Sequence, residues 1–281
     1  VIPASFDYDV AESVDHAIEL LGSNGGDTKL LAGGHSLIPA MKLRIARPAR
    51  LVDLGRLADL AYVKDSGTHV AIGSLTRLAE VASDPLLAEH CPIVSFTAGQ
   101  IGDPQVRHRG TIGGTLAHGD PASDLPAVAL ALGAELVARG QGGERVIPAT
   151  DFFTGVFETA LQPDEVLVEA RVPKLAASTG WAYLKAHRRA IDWATVGVAA
   201  LVHRDNGSAA GASIGLVNMG GTPLRARAAE DAVAGGGSLA DASALVTEGA
   251  DPPSDHAGSS EYRAHLAQVL TRRALERALE M

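Results

Sequence analysis

Two glycine pairs constrain this chain more than any other feature. The first lies in Leu31-Ala32-Gly33-Gly34-His35-Ser36-Leu37, at the end of an apolar run. The second lies in Thr111-Ile112-Gly113-Gly114-Thr115, followed at once by Leu116-Ala117-His118-Gly119-Asp120-Pro121-Ala122-Ser123-Asp124. Glycine removes the side chain where a backbone turns tightly or approaches a ligand closely. Successive N–H groups in such a turn form a concavity that takes anionic oxygens. Neither stretch contains lysine, so an anion there is expected to be held by backbone dipoles rather than by a point charge. One Gly-Gly pair alone reads as an ordinary turn; two, each beside a small hydroxyl residue, suit a phosphate-bearing ligand.

The surrounding pattern supports this. Residues 29–32 read as a short buried strand. Ser36 is placed to cap a helix from Leu37, with Pro39 in its first turn, where a missing N–H costs little. A strand, a glycine turn and a helix start make a phosphate site. Upstream, Val14, Ala17, Ile18 and Leu21 recur at helical spacing with Gly22 as a stop, and residues 23–27 read as a turn. Residues 50–54 are a second strand. Residues 41–48 are locally basic, which fits cations at a helix C-terminus or, alternatively, a subunit contact.

Further along, residues 69–73 alternate like a strand, and 76–81, 86–90 and 92–100 read as helices. Cys91 is expected in or near the core. Residues 126–132 are apolar and packed, 135–139 and 144–147 form a hairpin, and 165–172 form a strand ended by Pro173. The small, polar composition of 174–180 marks a domain boundary. Beyond it, 181–185, 196–203 and 213–218 read as strands, with Asp205-Asn206-Gly207 as a turn. Residues 225–234 are helical, and an amphipathic helix over 260–280 carries Tyr262, Leu266, Val269, Leu270, Leu275 and Leu279.

Several chemistries are excluded or weakened. The net charge of −9 leaves no basic excess for general nucleic-acid binding. The one cysteine cannot close an internal disulfide or hold an iron–sulfur cluster. No apolar run reaches the ~18 residues of a membrane span, and no basic-then-apolar signal peptide is present; a cytoplasmic protein is expected. G-x-G-x-x-G, a P-loop and H-E-x-x-H are absent. Gly211-Ala212-Ser213-Ile214-Gly215 matches the hydrolase pattern G-x-S-x-G, but a turn leads in and a strand leads out, the wrong context for a nucleophile elbow. His118, Asp120 and Asp124 suggest metal ligands only weakly, because Pro121 breaks their loop. Asp124 is read either as an acceptor for ligand hydroxyls or as a helix cap ahead of Pro126.

Ala32-Gly33-Gly34-His35-Ser36 and Gln105-Val106-Arg107-His108-Arg109-Gly110-Thr111-Ile112-Gly113-Gly114 resemble the two FAD-binding signatures of the medium subunit of molybdenum-containing hydroxylases. Within that family the likeness is to the aerobic carbon monoxide dehydrogenase type, and it runs across essentially the whole chain. It implies an α+β fold: a two-part FAD-binding domain of the vanillyl-alcohol-oxidase/PCMH type over 1–176 (subdomains about 1–55 and 56–176), then a small C-terminal α+β flavoprotein domain over 177–281. The latter is expected to be a small sheet with helices on one side. The resemblance implies non-covalent FAD against Leu31, Ala32, Gly33, Gly34, His35, Ser36, Leu37, Ile101, Thr111, Gly113, Gly114, Thr115, Asp124, Leu167, Lys185 and Trp193. A side chain at Gly33 or Gly114 is expected to fill the space the diphosphate needs. Lys185, which otherwise reads as an exposed strand-end lysine, becomes a cation beside the flavin pyrimidine.

Two positions depart from the family pattern. The family usually has asparagine or serine where Thr115 stands, and often tyrosine where Trp193 stands; tryptophan preserves stacking surface but moves the polar handle. The implied partners are a large molybdopterin subunit and a small [2Fe-2S] subunit in a dimer of heterotrimers. The implied acceptor is external (a quinone or similar), and the complex is cytoplasmic or peripheral to the inner membrane face. No catalytic or metal-ligating residue is expected on this chain. Two alternatives stay open: a flavin subunit of a purine or N-heteroaromatic hydroxylase, and a self-contained flavin oxidase, since some oxidases attach flavin to the histidine of a similar Gly-Gly-His loop. A non-enzymatic scaffold is the third.

Overall fold

The computed structural model describes residues 2–23 and 27–281; the expected turn over 23–27 lies largely outside them. The first unit is β1 (Asp7–Val10), α1 (Val14–Gly22), β2 (Thr28–Leu31), α2 (Leu37–Lys42) and β3 (Arg50–Asp53), a parallel three-stranded sheet in the order β1-β3-β2. Ser13 caps α1 by accepting from the His16 N–H at 3.0 Å, and Val14, Ala17, Ile18 and Leu21 form its buried face, as their spacing predicts.

The second unit contains β4 (Val63–Asp65), β5 (His69–Gly73), α3 (Leu78–Ser83), α4 (Pro85–His90), α5 (Pro92–Gly99), α6 (Pro104–Arg109), α7 (Ile112–Ala117) and α8 (Asp124–Leu132). It continues with β6 (Glu135–Gly140), β7 (Gly143–Pro148), α9 (Ala149–Phe152), β8 (Phe153–Gly155), β9 (Glu158–Thr159) and β10 (Val166–Pro173). Its five-stranded sheet is antiparallel, in the order β4-β5-β10-β6-β7. A register shift between Leu167 and Glu169 breaks the alternation of β10. Val166 and Val168 therefore pack toward α1, while Leu167, Ala170 and Val172 pack toward the helical layer of α3, α5 and α8. Cys91 is buried in that layer; its thiol donates to the Pro173 carbonyl at 2.8 Å, and burial pushes it up to about 12.

The third unit is β11 (Thr179–Ala186), β12 (Val196–Asp205), β13 (Ser208–Val217), β14 (Leu224–Arg225), α10 (Arg227–Ala234), α11 (Leu239–Ala244) and α12 (Ser260–Glu280). Its antiparallel sheet runs β11-β12-β13-β14. Its own helices cover one face, as expected, but the other face lies on α8: Ala199, Leu201 and Val217 join the core of the second unit, whereas Val198, Ala200 and Leu216 pack under α10 to α12. Two strand glycines permit this. A Cβ at Gly215 would lie 2.0 Å from the Ala127 carbonyl oxygen, and one at Gly180 would lie 1.7 Å from that of Ala278. The strand runs straight through Ser213, which removes the hydrolase motif. The buried face of α12 is Arg263, Ala267, Thr271, Ala274, Leu275 and Ala278; of the stripe read from the sequence, Leu275 lies on that face and Leu266, Leu270 and Leu279 pack at its margin, partly buried. Tyr262 is about half exposed, at 51%, and at the other end of α12 the close approach of Gly180 to the Ala278 carbonyl requires small residues.

No helix among the described residues is long and apolar enough to cross a membrane. The architecture is α+β with no single parallel sheet.

Candidate functional site

The first glycine pair closes β2. Gly34 has φ +76°, a conformation that glycine adopts readily. Ser36 stands at the N-cap of α2 but has helical backbone angles and makes no capping bond. The chain enters α2 from a left-handed turn, not from the extended backbone that lets a cap side chain fold back. The helix start consequently stays open. Among the described residues, the N–H groups of Gly33, Gly34, His35, Ser36 and Leu37 have no protein acceptor. Five successive unspent donors at a strand–turn–helix junction are the donor set an anionic diphosphate needs.

The second pair is built differently. Gly113 and Gly114 lie in the first turn of α7, not in a loop, and neither has positive φ. Their donors are spent: Ile112 N–H on the Thr76 carbonyl at 3.1 Å, Gly113 N–H on that of Ser74 at 2.9 Å, and Gly114 N–H on the Thr111 hydroxyl at 3.1 Å. Gly113 is there for packing, since a Cβ would lie 2.6 Å from the Ser74 carbonyl oxygen. Gly114 faces outward and Thr115 is half-buried. Thr111→Ala removes the cap and is expected to cost about 1 kcal/mol of stability; urea unfolding of Thr111→Ala beside Thr111→Ser checks this, and serine should restore most of the loss.

Gly33 brings the two stretches together. A Cβ at Gly33 would lie 2.3 Å from the Arg109 carbonyl oxygen and 2.8 Å from the Gly110 Cα. The Arg77 guanidinium donates to the same Arg109 carbonyl at 2.5 Å. The two guanidinium groups, Arg77 and Arg109, lie close enough at this junction to repel one another. Arg77 escaped the sequence reading because more than thirty residues separate it from its partner.

A second cluster forms at the seam between α8 and β11. Asp124 is the first residue of α8, after Ser123 at the N-cap, so its side chain does not cap the helix. It is buried, and Lys185 Nζ lies 2.8 Å from its Oδ2, the two side chains being 6% and 5% exposed. The Tyr183 hydroxyl donates to Oδ1. Burial pushes the Asp124 carboxyl above 3.8, with Lys185 and Tyr183 drawing it back; burial and the Asp124 charge hold the Tyr183 phenol well above 10.0. Lys185 is therefore a buried ion-pair partner, not an exposed strand-end lysine. Tyr183 was missed, although its signal was present: residues i and i+2 of a strand share a face, so Tyr183 and Lys185 point the same way.

Trp193 lies on the loop of residues 187–195 between β11 and β12, 55% exposed. It walls a cleft of about 680 Å³ together with Ala122, two residues before Asp124, and Arg188, Asn218 and His256. Leu167 is buried in the core, and Ile101 packs against that core half-buried. The metal alternative gains no geometry: Asp120 accepts from the Ala122 N–H at 2.8 Å, and the His118 ring packs 5.0 Å from that of Phe157. Among the described residues no group of three His, Cys, Asp or Glu side chains could hold a metal ion.

Residues 4–175 match the model of the FAD binding domain in molybdopterin dehydrogenase, and residues 181–278 that of the CO dehydrogenase flavoprotein C-terminal domain. The carbon monoxide dehydrogenase medium chain of Hydrogenophaga pseudoflava is 40% identical over 99% of this chain and 98% of its own length. The 6-hydroxypseudooxynicotine dehydrogenase complex subunit alpha of Paenarthrobacter nicotinovorans is also 40% identical, over 99% and 95%. Among solved structures, the H. pseudoflava carbon monoxide dehydrogenase superposes with a TM-score of 0.96 at 42% identity, covering 100% of this chain and 99% of that one. Quinoline 2-oxidoreductase from Pseudomonas putida 86 superposes at 0.94 and 31% identity, with the same coverage.

Proposed function

This chain belongs to the FAD-binding family of molybdopterin dehydrogenases, and from that premise we propose that it is the electron-transfer subunit of a molybdenum hydroxylase. Electrons reach it from [2Fe-2S] clusters on a small partner and leave to an external acceptor such as a quinone. The substrate is oxidised at molybdenum on a large partner, in a dimer of heterotrimers. The observation that carries the reading is the loop of five unspent N–H donors, packed through Gly33 against the stretch that leads into Gly113 and Gly114. Domains over 1–176 and 177–281 are supported by the separate sheets on either side of residues 174–178.

The residues present fit FAD. Bound non-covalently, it supplies a two-electron carrier. Gly33 to Leu37, led into by Leu31 and Ala32, would hold the diphosphate with backbone donors, and Arg77 and Arg109 would add positive potential. Thr111 and Gly113 fix the start of α7 against Ser74, and Gly114 and Thr115 offer a surface free of bulky side chains. Asp124, its orientation locked by Lys185 and Tyr183, would accept from ligand hydroxyls through the lone pairs those two leave free. Ile101 and Leu167 would back the ring through the core they belong to, and Trp193 would cover one face.

Carbon monoxide is the proposed substrate of the complex. The heteroaromatic alternative rests on a specific observation: the 6-hydroxypseudooxynicotine relative is 40% identical, the same figure as one carbon monoxide relative and close to the 42% of another. On our reading no residue here touches that substrate, so its identity is set elsewhere. The purified chain is expected to be yellow, to release its flavin on acid precipitation, and to show no oxidation of CO or heterocycles until both partners are added. Flavin retained in the pellet would favour the covalent oxidase; substrate oxidation by the chain alone would overturn the proposal.

A further inference from the structure

The loop of residues 187–195 is long, polar and exposed over much of its length, yet its last two residues are bonded from two directions. Asn218, just after β13, donates through Nδ2 to the Ala194 carbonyl at 2.8 Å and the Thr195 carbonyl at 3.4 Å. Its own N–H donates to the Pro121 carbonyl at 2.8 Å, on the segment that leads into Asp124. Asn218 does this with φ +61°, a conformation asparagine tolerates better than most residues. One residue thus ties both walls of the cleft, the Trp193 loop and the Pro121-Ala122 segment.

The second bond comes from α12. Arg263 is fully buried. Its Nη1 donates to the Thr195 carbonyl at 2.5 Å, its Nη2 to Asp255 Oδ1 at 2.6 Å, and its Nε has no partner. A buried guanidinium with an unmet donor is expensive, and a well-packed apolar residue would be the cheaper way to fill the site. What the arginine provides instead is a fixed distance between α12, the 255–257 segment and the end of the Trp193 loop. Asp255 and Asp192 are the carboxylates facing this cleft, and each is already paired, to Arg263 and Arg189 respectively.

We propose that Asn218 and Arg263 are positioning residues that fix the Trp193 loop against the segment preceding Asp124, and so set how far Trp193 covers the flavin face. This rests on the reading that the cleft beside Asp124 receives the flavin ring. It places control of cofactor exposure in the C-terminal unit, outside both glycine stretches.

The test measures flavin emission from the FAD-loaded full chain, since a stacked indole quenches a flavin. Trp193→Ala defines the uncovered ring and is expected to brighten it several-fold. Asn218→Gly keeps the left-handed backbone and the N–H to Pro121 while deleting the amide; it is expected to recover most of that brightening with FAD still bound. Combining it with Trp193→Ala should add nothing further. Arg263→Lys, which keeps a cation for Asp255 but loses the forked reach, should move emission the same way by less, and decides the matter if Asn218→Gly does not fold. A residue with only a structural role would lower the melting temperature and leave emission unchanged. A bright Trp193→Ala with wild-type emission from the folded clamp variants would overturn the clamp alone. An unchanged Trp193→Ala would overturn the cofactor-face reading and the clamp with it.

Discussion

Gly33→Ala is expected to cost this protein most of its bound FAD. The new methyl would point at backbone, 2.3 Å from the Arg109 carbonyl oxygen and 2.9 Å from its carbonyl carbon. Backbone cannot step aside by changing rotamer, so the two stretches must separate. Overpacking of this kind costs about 1–3 kcal/mol or more, equivalent to roughly a 10–100-fold loss of affinity if it falls on the cofactor-binding arrangement. Gly114→Ala should be milder, because its Cβ would meet only the Thr111 hydroxyl at 2.9 Å. The two glycines look equivalent as sequence, and the structure makes them unequal. Gly142→Ala, with nothing within 4 Å, is the neutral control. The flavin-to-protein absorbance ratio and an FAD titration measure the effect; wild-type affinity in Gly33→Ala would separate this junction from the cofactor.

Lys185→Met is expected to destabilise the chain strongly, with a pH dependence of defined sign. It strands the Asp124 carboxylate, 5% exposed, without its cation. Removing one partner of a buried pair costs about 3–5 kcal/mol. Burial already raises the Asp124 carboxyl in the folded state. Its contribution to stability is therefore present below the unfolded value of 3.8 and lost as pH rises through the higher folded value. Without Lys185 the folded value rises further, so the melting-temperature deficit of Lys185→Met should grow from about pH 4 toward neutrality. Asp124→Asn in the same chain should recover most of it, since the Tyr183 hydroxyl can donate to an amide oxygen. The flavin potential should fall in Lys185→Met, which leaves a net negative charge beside the ring, and return toward wild type in the double variant, which is neutral like the native pair. Even ~30 mV for a two-electron couple corresponds to ~1.4 kcal/mol, well within what a spectroelectrochemical titration resolves. A deficit independent of pH would show that Lys185 acts through packing and not through charge.

Much of the fold was legible because its signals are local. The helical spacing of Val14, Ala17, Ile18 and Leu21, the apolar runs of β5, β10 and β12, and the turn at Asp205-Asn206-Gly207 all depend on residues within a few positions of one another. The misreadings arise where tertiary packing overrides a local preference. Helix α7 is hidden in the sequence because Gly113 and Gly114 argue against helix by propensity. The fold overrides that preference by capping α7 with Thr111 and packing Gly113 on Ser74. On α12 the large-residue stripe captures Leu275 but not the alanines, Thr271 and Arg263 that share its buried face.

The sequence by itself determined most of the longer strands and helices, the turn at Asp205-Asn206-Gly207 and, through its two glycine motifs, the family and the cofactor that family binds. Those properties are encoded in contiguous residues whose φ, periodicity and hydrogen-bonding capacity act over short range. Only the tertiary structure decided that the first glycine loop keeps its donors while the second spends them, and that Gly33 is a contact and not a void. It also decided that Lys185 answers Asp124 across sixty residues, and that Asn218 and Arg263 hold the Trp193 loop. Each of these is a distance between groups remote in sequence, and Coulomb attraction, steric exclusion and hydrogen bonding depend on distance in space, which the order of residues does not specify.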